Sequence, residues 1–186
     1  MTISALPNEL EKLVGEFRQM KNESSELFRK ITDKSFNKRP ETGGWSAAEC
    51  VDHLIVTGID YCDQYENALR KVMEKDLKLT RELKYSWFGK RFISFVEPPV
   101  RFKAKAPKRW KPDSDINLNK ASKAYQQLQD RYIDLINSSA GWDISKVKLP
   151  SPATKLIKFS GLEMLAINSA HQRRHFLQAK KALNIK

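Results

Sequence analysis

Apolar residues recur at intervals of three, four or seven positions in four separate stretches of the chain, with polar and charged residues between them. This spacing places the apolar side chains on one face of an α-helix. It predicts four helices, at about Pro7–Thr32, Ser46–Met73, Leu118–Ser138 and Ser160–Leu183. Four amphipathic helices predict an all-α protein, a four-helix bundle. The core-facing residues would be Leu10, Leu13, Phe17, Met20, Leu27 and Ile31; Val51, Leu54, Ile55, Ile59, Cys62, Leu69, Val72 and Met73; Ala121, Tyr125, Leu128, Tyr132 and Leu135; and Leu162, Leu165, Ala166, Ala170, Leu177 and Leu183.

The connection between the second and third predicted helices is long, running from about Glu74 to Asn117. It contains Pro98-Pro99, Pro107 and Pro112, so it is not one continuous helix. A connection of this length can cross the whole bundle, which would let the second and third helices run parallel. The short links elsewhere favour antiparallel neighbours. Within the crossover we expect short extended pieces, such as Arg91–Val96.

The composition is that of a globular protein, with 40% hydrophobic and 30% charged residues. We expect residues 1–186 to form a single domain. The first residues lack the basic and apolar regions of a signal peptide, and no apolar run approaches the ~18 residues needed to span a bilayer. Cys50 and Cys62 lie roughly 18 Å apart along one predicted helix, too far for a disulfide. A reducing, cytoplasmic setting without a membrane partner fits these features.

The formal net charge of +12 permits anionic partners but does not choose among them. The segment Lys84–Lys111 holds nine basic residues and one acidic residue, Glu97, for a net charge of +8. Its aromatic residues are Tyr85, Trp87, Phe88, Phe92, Phe95, Phe102 and Trp110. We rank a structural crossover with solvated lysines first, the rim of a pocket for an anionic small molecule second, and a single-strand nucleic-acid site third.

The chain has three histidines, and their positions predict one metal site. His171 and His175 are four positions apart, so on a helix both imidazoles lie on one face, one turn apart. Such a pair can offer two ligands to one metal, although most such pairs are solvated or hydrogen-bonded. His53 lies about two turns into the second helix. If the second and fourth helices are antiparallel, all three imidazoles converge at one end of the bundle.

Three neutral imidazoles leave at least one coordination position open, as in catalytic rather than structural sites. Zn, Ni or Fe would each accept these ligands, so one divalent transition metal is expected without a choice among them. Gln172 stands where a His-Glu-x-x-His protease needs its glutamate, which excludes that class. Because imidazole binds metal only when neutral and its ordinary pKa is ~6.5, loss of metal is expected at mildly acid pH.

Four further residues near the histidines are candidates for supporting roles. Asn168 and Gln178 lie on the histidine face of the last helix and could hydrogen-bond a substrate or a group on the metal. An ordinary polar edge of the core is the alternative. Glu49 could support the site, but its capping box with Ser46 already accounts for its position. Cys50, one turn before His53, is expected to be a small core residue. No residue stands out as the general base.

Two motifs resemble the DinB-like superfamily. The segment Gly44–Leu54 resembles the W-S-x-x-E-x-x-x-H-L opening of the family's second helix. Phe159–Leu162, followed by His171–Gln178, resembles its last helix, and Pro98–Lys103 and Pro150–Pro152 sit where related members have similar loops. The resemblance implies a four-helix bundle with a long second crossover. It also implies that His53, His171 and His175 are metal ligands.

Members of this superfamily include thiol-dependent transferases and proteins described as metal-dependent hydrolases. The resemblance therefore implies the site more firmly than the reaction. We expect a metal-dependent hydrolase or thiol S-transferase acting on a small molecule, with a low-molecular-weight thiol as a candidate cosubstrate. The alternative is a metal- or anion-binding protein without turnover, and nucleic-acid binding through residues 84–111 ranks below it. The natural substrate, the metal, the general base and the oligomeric state, with a homodimer as one option, stay open.

Overall fold

The computed structural model describes residues 6–99, 106–151 and 156–185. The helices are α1 (Asn8–Arg29), α2 (Asp33–Asn37), α3 (Ala47–Glu74), α4 (Trp87–Val96), α5 (Leu118–Ser138) and α6 (Gly161–Ala182), and the strands are β1 (Lys148–Pro150) and β2 (Lys158–Ser160). The prediction of an all-α fold is confirmed, since the two strands form only a small hairpin beside the helices. Within the described ranges, every helix is too short or too polar to cross a membrane.

The long helices α1, α3, α5 and α6 form the bundle, and side-chain contacts give their directions. Helices α1 and α5 are antiparallel, because the Phe17 ring stacks on Tyr132 at 4.4 Å while Phe28 meets Tyr125, earlier in α5. Helices α3 and α5 are parallel. Gly58 lies against Leu128, and two turns later Tyr65 hydrogen-bonds Ser139 at 2.9 Å. The predicted crossover, with its parallel flanking helices, is therefore present.

Helices α3 and α6 are antiparallel, which is the arrangement that the histidine hypothesis requires. The rings of His53 and His171 meet near the start of α3, whereas Tyr65, further along α3, packs against Gly161 at the start of α6. Most of the predicted core residues are buried. Ile59 is an exception, with 45% of its surface exposed, because Gly58 rather than Ile59 faces α5.

The prediction of extended structure at Arg91–Val96 is wrong, because this segment belongs to helix α4. Ser86 caps the helix by accepting a hydrogen bond from the Gly89 amide at 2.9 Å. Phe88 and Phe92, one turn apart, both pack on Phe159 of β2, with ring centroids 5.7 and 4.8 Å away. The aromatic spacing fits a helix that covers one side of the bundle. The first helix also ends earlier than predicted, at Arg29, because Thr32 starts the separate helix α2 with its own capping box.

Helix α4 is fastened to α6 at both of its ends. At its start, the Ser86 amide and hydroxyl donate to Oε1 of Glu163 at 2.9 and 2.6 Å. At its end, Glu97 accepts two hydrogen bonds from Arg173, at 2.6 and 2.7 Å. Gly89 allows the close approach, since a Cβ at this position would lie 2.2 Å from Glu163 Oε1. The crossover therefore has a defined position along α6, the helix that carries two of the histidines.

Candidate metal centre

The local sequence determines where α3 begins and therefore where His53 lies. Ser46 caps α3 and accepts from the Glu49 amide at 3.1 Å, and the Glu49 carboxylate accepts from the Ser46 amide at 2.9 Å. The predicted capping box is thus present. The preceding turn uses Gly43 and Gly44 at φ values of +79° and +107°, a region that glycine enters without strain. This turn positions Trp45, whose ring lies 5.0 Å from that of His53.

The imidazoles of His53, His171 and His175 converge on one point between α3 and α6. The Nε2 atoms of His53 and His171 are 3.3 Å apart. The ring centroids lie 4.7 Å apart for His53 and His175 and 4.6 Å apart for His171 and His175. One nitrogen from each ring lies within 4.8 Å of the others. His53 is buried, and the two α6 histidines are partly buried.

A backbone hydrogen bond determines which nitrogen of His53 faces the cluster. The Nδ1 atom of His53 lies 2.7 Å from the carbonyl oxygen of Trp110. A carbonyl only accepts, so Nδ1 must carry the proton and donate. In the neutral ring, Nε2 then presents its lone pair to His171 and His175. This is the orientation in which a metal-binding histidine is usually held by its surroundings.

The three imidazoles are held in their neutral form. Burial lowers the pKa of His171 to about 3, and the neighbouring charges of His53 and Arg174 act in the same direction. Burial also lowers the pKa of His175 well below its ordinary value, an effect that a nearby Gln178 side chain only partly opposes. For His53, burial again lowers the pKa, against the opposing influence of the Trp110 carbonyl. Near neutral pH the cluster therefore offers lone pairs rather than charges.

The donor set fits a transition metal. Zinc–imidazole bonds of ~2.0–2.1 Å at tetrahedral angles imply nitrogen–nitrogen separations of roughly 3.3–3.4 Å. The two Nε2 atoms of His53 and His171 are already 3.3 Å apart. The Nδ1 atom of His175 is buried and makes no hydrogen bond to any described residue. The cluster is thus compatible with metal binding, and its three donors all come from side chains of α3 and α6.

The histidines form one end of a cavity of about 440 Å³. Its walls are mainly aromatic and aliphatic, and α3, α4, α6 and the end of the crossover all contribute. The described lining residues are Trp45, His53, Thr57, Tyr61, Phe92, Phe95, Val96, Ala106, Pro107, Trp110, Ile167, Asn168, His171, Arg174 and His175. A volume of this order suits a small organic molecule lying next to the histidines.

Of the predicted supporting residues, two lie near the cluster. Asn168 lines the cavity, but its Oδ1 accepts from Tyr132 at 3.0 Å and its Nδ2 donates to the Met164 carbonyl at 2.9 Å. Asn168 is therefore tied into the core as well as facing the cavity. Gln178 lies beside His175 and influences its pKa. Their roles toward a ligand remain predictions.

The other candidates point away from the cavity. Glu49 pairs with Arg39 at 2.9 Å in addition to capping α3, and these bonds hold its pKa below the ordinary value although burial raises it. Burial raises the pKa of Cys50 to about 12, so its thiol stays protonated at neutral pH. These observations agree with the capping interpretation of Glu49 and the core interpretation of Cys50. Gln172, which stands between the two histidines of α6, faces α5, where its Oε1 accepts from Tyr125 at 2.7 Å.

Sequence reasoning missed three residues that shape the site. Trp45 and Arg174 stand inside the two motifs and line the cavity, so their positions beside the histidines could have drawn attention to them. The contribution of Trp110 is a backbone carbonyl, which no residue type reveals. The basic segment 84–111 reaches the cavity through α4 and through the end of the crossover, while its residues 100–105 lie outside the described part of the chain. The lining residues from this segment are Phe92, Phe95, Val96, Ala106, Pro107 and Trp110.

Comparison with known proteins supports the resemblance in the two motifs. The family model of the DinB superfamily matches residues 16–179, a stretch that runs from α1 into α6 and includes all three histidines. No curated protein and no solved structure gave a significant match.

Proposed function

From the premise that this chain belongs to the DinB superfamily, we propose that it is a divalent-metal-dependent enzyme acting on a small molecule. His53, His171 and His175 are its metal ligands. The observation that carries this proposal is that the three imidazoles converge at one end of a cavity of about 440 Å³. A closed structural site would have four protein ligands, whereas three leave a coordination position for a reacting group.

The protein's own residues prepare this position. The Trp110 carbonyl holds the His53 ring with Nε2 turned toward the other histidines. Trp45 packs against the rings of both His53 and His175, at 5.0 and 5.7 Å, and limits the access of water to them. When bound, Zn, Ni or Fe would supply Lewis-acid activation of a water molecule or of a thiol.

Thiol transfer is the reaction that the cavity favours. Its described polar groups are imidazole, hydroxyl, amide and guanidinium side chains. A thiol S-transferase needs a nucleophile held as thiolate, which metal coordination achieves without a separate base. Hydrolysis also calls for a general base near the attacking water. We therefore place a thiol S-transferase that uses a low-molecular-weight thiol first, and a metal-dependent hydrolase second.

The ligand assignment is tested by elemental analysis of the purified wild-type protein and of the variants His53→Ala and His171→Ala. Each variant loses one of three ligands while the apolar faces of the helices remain. We expect about one metal per wild-type chain, loss of tight binding in both variants, and helical circular dichroism in all three proteins. Cys50→Ala is the matched control, since it removes a possible sulfur ligand one turn from His53. Full metal occupancy in either histidine variant contradicts the proposal.

Turnover is tested separately on the metal-loaded protein. Low-molecular-weight thiols are offered together with an activated aryl halide, and a second series offers ester and amide substrates without thiol. We expect thiol-dependent product that disappears in His171→Ala. Hydrolysis without thiol would favour the second candidate. Stoichiometric metal without turnover in either series would leave the non-catalytic metal-binding alternative.

A further inference from the structure

Arg174 brings a positive charge to the histidine end of the cavity. It lies between His171 and His175 in sequence, and its side chain lines the same cavity. It is partly buried, and it shares the cavity wall with the imidazoles of His53, His171 and His175.

The preceding residue, Arg173, contacts two other helices of the bundle. Arg173 binds Glu97 through two hydrogen bonds and Glu16 through a third, at 2.6, 2.7 and 2.9 Å. These contacts raise the pKa of Arg173 above its ordinary value. Consecutive arginines therefore serve different ends: Arg173 fastens α4 and α1 to α6, and Arg174 faces the cavity.

The charge at this end of the cavity favours an anion. On the proposed function, on which this step rests, a divalent cation is held by three neutral imidazoles. Arg174 adds a further positive charge, while the surrounding wall is largely aromatic and aliphatic. Positive charges in such surroundings are stabilised when a ligand brings opposite charge, because apolar walls screen poorly.

We propose that Arg174 is the residue that selects the substrate, by binding a carboxylate on a molecule with an apolar or aromatic body. The planar guanidinium offers paired donors that match the two oxygens of a carboxylate. Phe92, Phe95 and Trp110 provide the wall against which the apolar body packs. Arg174 already takes part in an interaction within the protein, which the carboxylate would share or replace.

The test compares a charged and an uncharged ligand of the same shape, hydrocinnamate and hydrocinnamamide, by calorimetric titration of zinc-loaded and metal-free protein. A charge-assisted hydrogen bond contributes about 1.5–3 kcal/mol, so wild-type protein should bind the carboxylate roughly 10- to 100-fold more tightly than the amide. Arg174→Gln should lose most of this preference and Arg174→Lys only part of it. Lys84→Gln, which removes an exposed charge from the basic segment, should keep it.

Two outcomes overturn the proposal: no preference for the carboxylate in wild-type protein, or an undiminished preference in Arg174→Gln, which would mean that the metal alone binds the anion. The wild-type comparison needs no variant, so a folding defect in Arg174→Gln does not decide the result. Metal-free protein separates this inference from the proposed function. An Arg174-dependent preference in a protein that binds no metal would support the role of Arg174 while refuting the metal enzyme.

Discussion

The backbone carbonyl of Trp110 accepts a hydrogen bond of 2.7 Å from Nδ1 of His53. This bond joins the long crossover to the histidine cluster. The Trp110 side chain is itself buried, and its indole donates to Asp60 of α3 at 2.8 Å. Close by, the Asp113 amide donates to Asp52, the neighbour of His53, at 3.0 Å. The crossover therefore orients the His53 ring, besides covering the side of the bundle.

We predict that Trp110→Ala weakens metal binding by about 10- to 100-fold, the usual effect of losing a group that orients a ligand. Without the indole, the loop loses its bond to Asp60, and the carbonyl no longer holds the His53 ring. The measurement is zinc affinity by chelator competition, with circular dichroism as a check on folding.

Trp87→Ala is the matched control, because Trp87 belongs to the same crossover but is 77% exposed. Its zinc affinity should equal that of the wild type. Asp60→Ala is a milder second variant, since it removes the acceptor of the indole without emptying the space that the ring fills. Unchanged zinc affinity in both Trp110→Ala and Asp60→Ala would show that His53 orients itself without the crossover.

A second prediction concerns the pH dependence of the metal-free protein. Burial lowers the pKa of all three histidines in the folded state, that of His171 to about 3, whereas in the unfolded chain it is ~6.5. Below pH ~6.5 the unfolded state thus binds protons that the folded state does not. The free energy of unfolding should fall as pH drops, by up to about 1.4 kcal/mol per pH unit for each histidine, with no contribution from them above pH ~7.

Urea unfolding of metal-free protein across this range checks the prediction, and His171→Asn provides the comparison. A variant with one titrating imidazole fewer should show a shallower decline. The same low pKa values weaken competition by protons, so the loss of metal that the sequence predicts at mildly acid pH should move to lower pH than an ordinary imidazole pKa of ~6.5 would give. A steep loss of zinc at pH ~6.5 would mean that the imidazoles are hydrated rather than buried.

The features that sequence predicted are those with a local cause. Helical periodicity indicated the buried faces, and the Ser46–Glu49 pair indicated the start of α3, because caps and faces depend on residues within one or two turns. The four-residue spacing of His171 and His175 likewise needs only a helix. Their convergence with His53 needed one further assumption, an antiparallel pair of helices, and that pairing is present.

The features that sequence did not predict depend on contacts between distant parts of the chain. The sequence favours extended structure for part of helix α4, although Phe88 and Phe92 have helical spacing, because the segment is short and is followed directly by Pro98 and Pro99. Its position is determined by Glu163 and Arg173 of α6, about 75 residues away in the chain, as the hydrogen bonds show. The role of the Trp110 carbonyl is not visible in the sequence, since every residue has the same backbone carbonyl to offer.

A third prediction concerns the bond between Arg173 and Glu97, which fastens the end of α4. Replacing Glu97 by Ala leaves a half-buried guanidinium with fewer acceptors, and we expect a loss of about 1–2 kcal/mol in the free energy of unfolding. Amide hydrogen exchange in α4 should accelerate more than in α5. Glu82→Ala is the control, because Glu82 pairs with Lys84 while the two side chains are 76% and 75% exposed. This variant should have no measurable effect on the free energy of unfolding. Equal rates of amide exchange in α4 of Glu97→Ala and Glu82→Ala would show that the helix is held without the Arg173–Glu97 bond.

The last prediction concerns nucleic acid. We expect the protein to bind single-stranded DNA only weakly, and only at low salt. The basic segment brings lysines and arginines to the surface, but two of its described aromatic residues pack against other parts of the protein. Trp110 is buried against Tyr61, and Phe92 packs on Phe159. Because these two rings are not available to stack on bases, we expect binding to rely on phosphate contacts, whose affinity falls steeply between ~50 and ~200 mM salt as counterions are released.

Trp87 provides a test of this prediction. With 77% exposure it is the most exposed aromatic side chain among the described residues of the segment, and it is free to stack on a base. Stacking contributes about 1–3 kcal/mol per base and is less sensitive to salt than phosphate contacts. A salt titration of fluorescence anisotropy with a labelled oligonucleotide therefore compares wild type, Trp87→Ala and Lys84→Gln. We expect the lysine variant to weaken the low-salt binding slightly and the tryptophan variant to leave it unchanged. Submicromolar affinity at physiological salt that drops in Trp87→Ala would make nucleic acid the leading partner, since only a stacked base explains both observations.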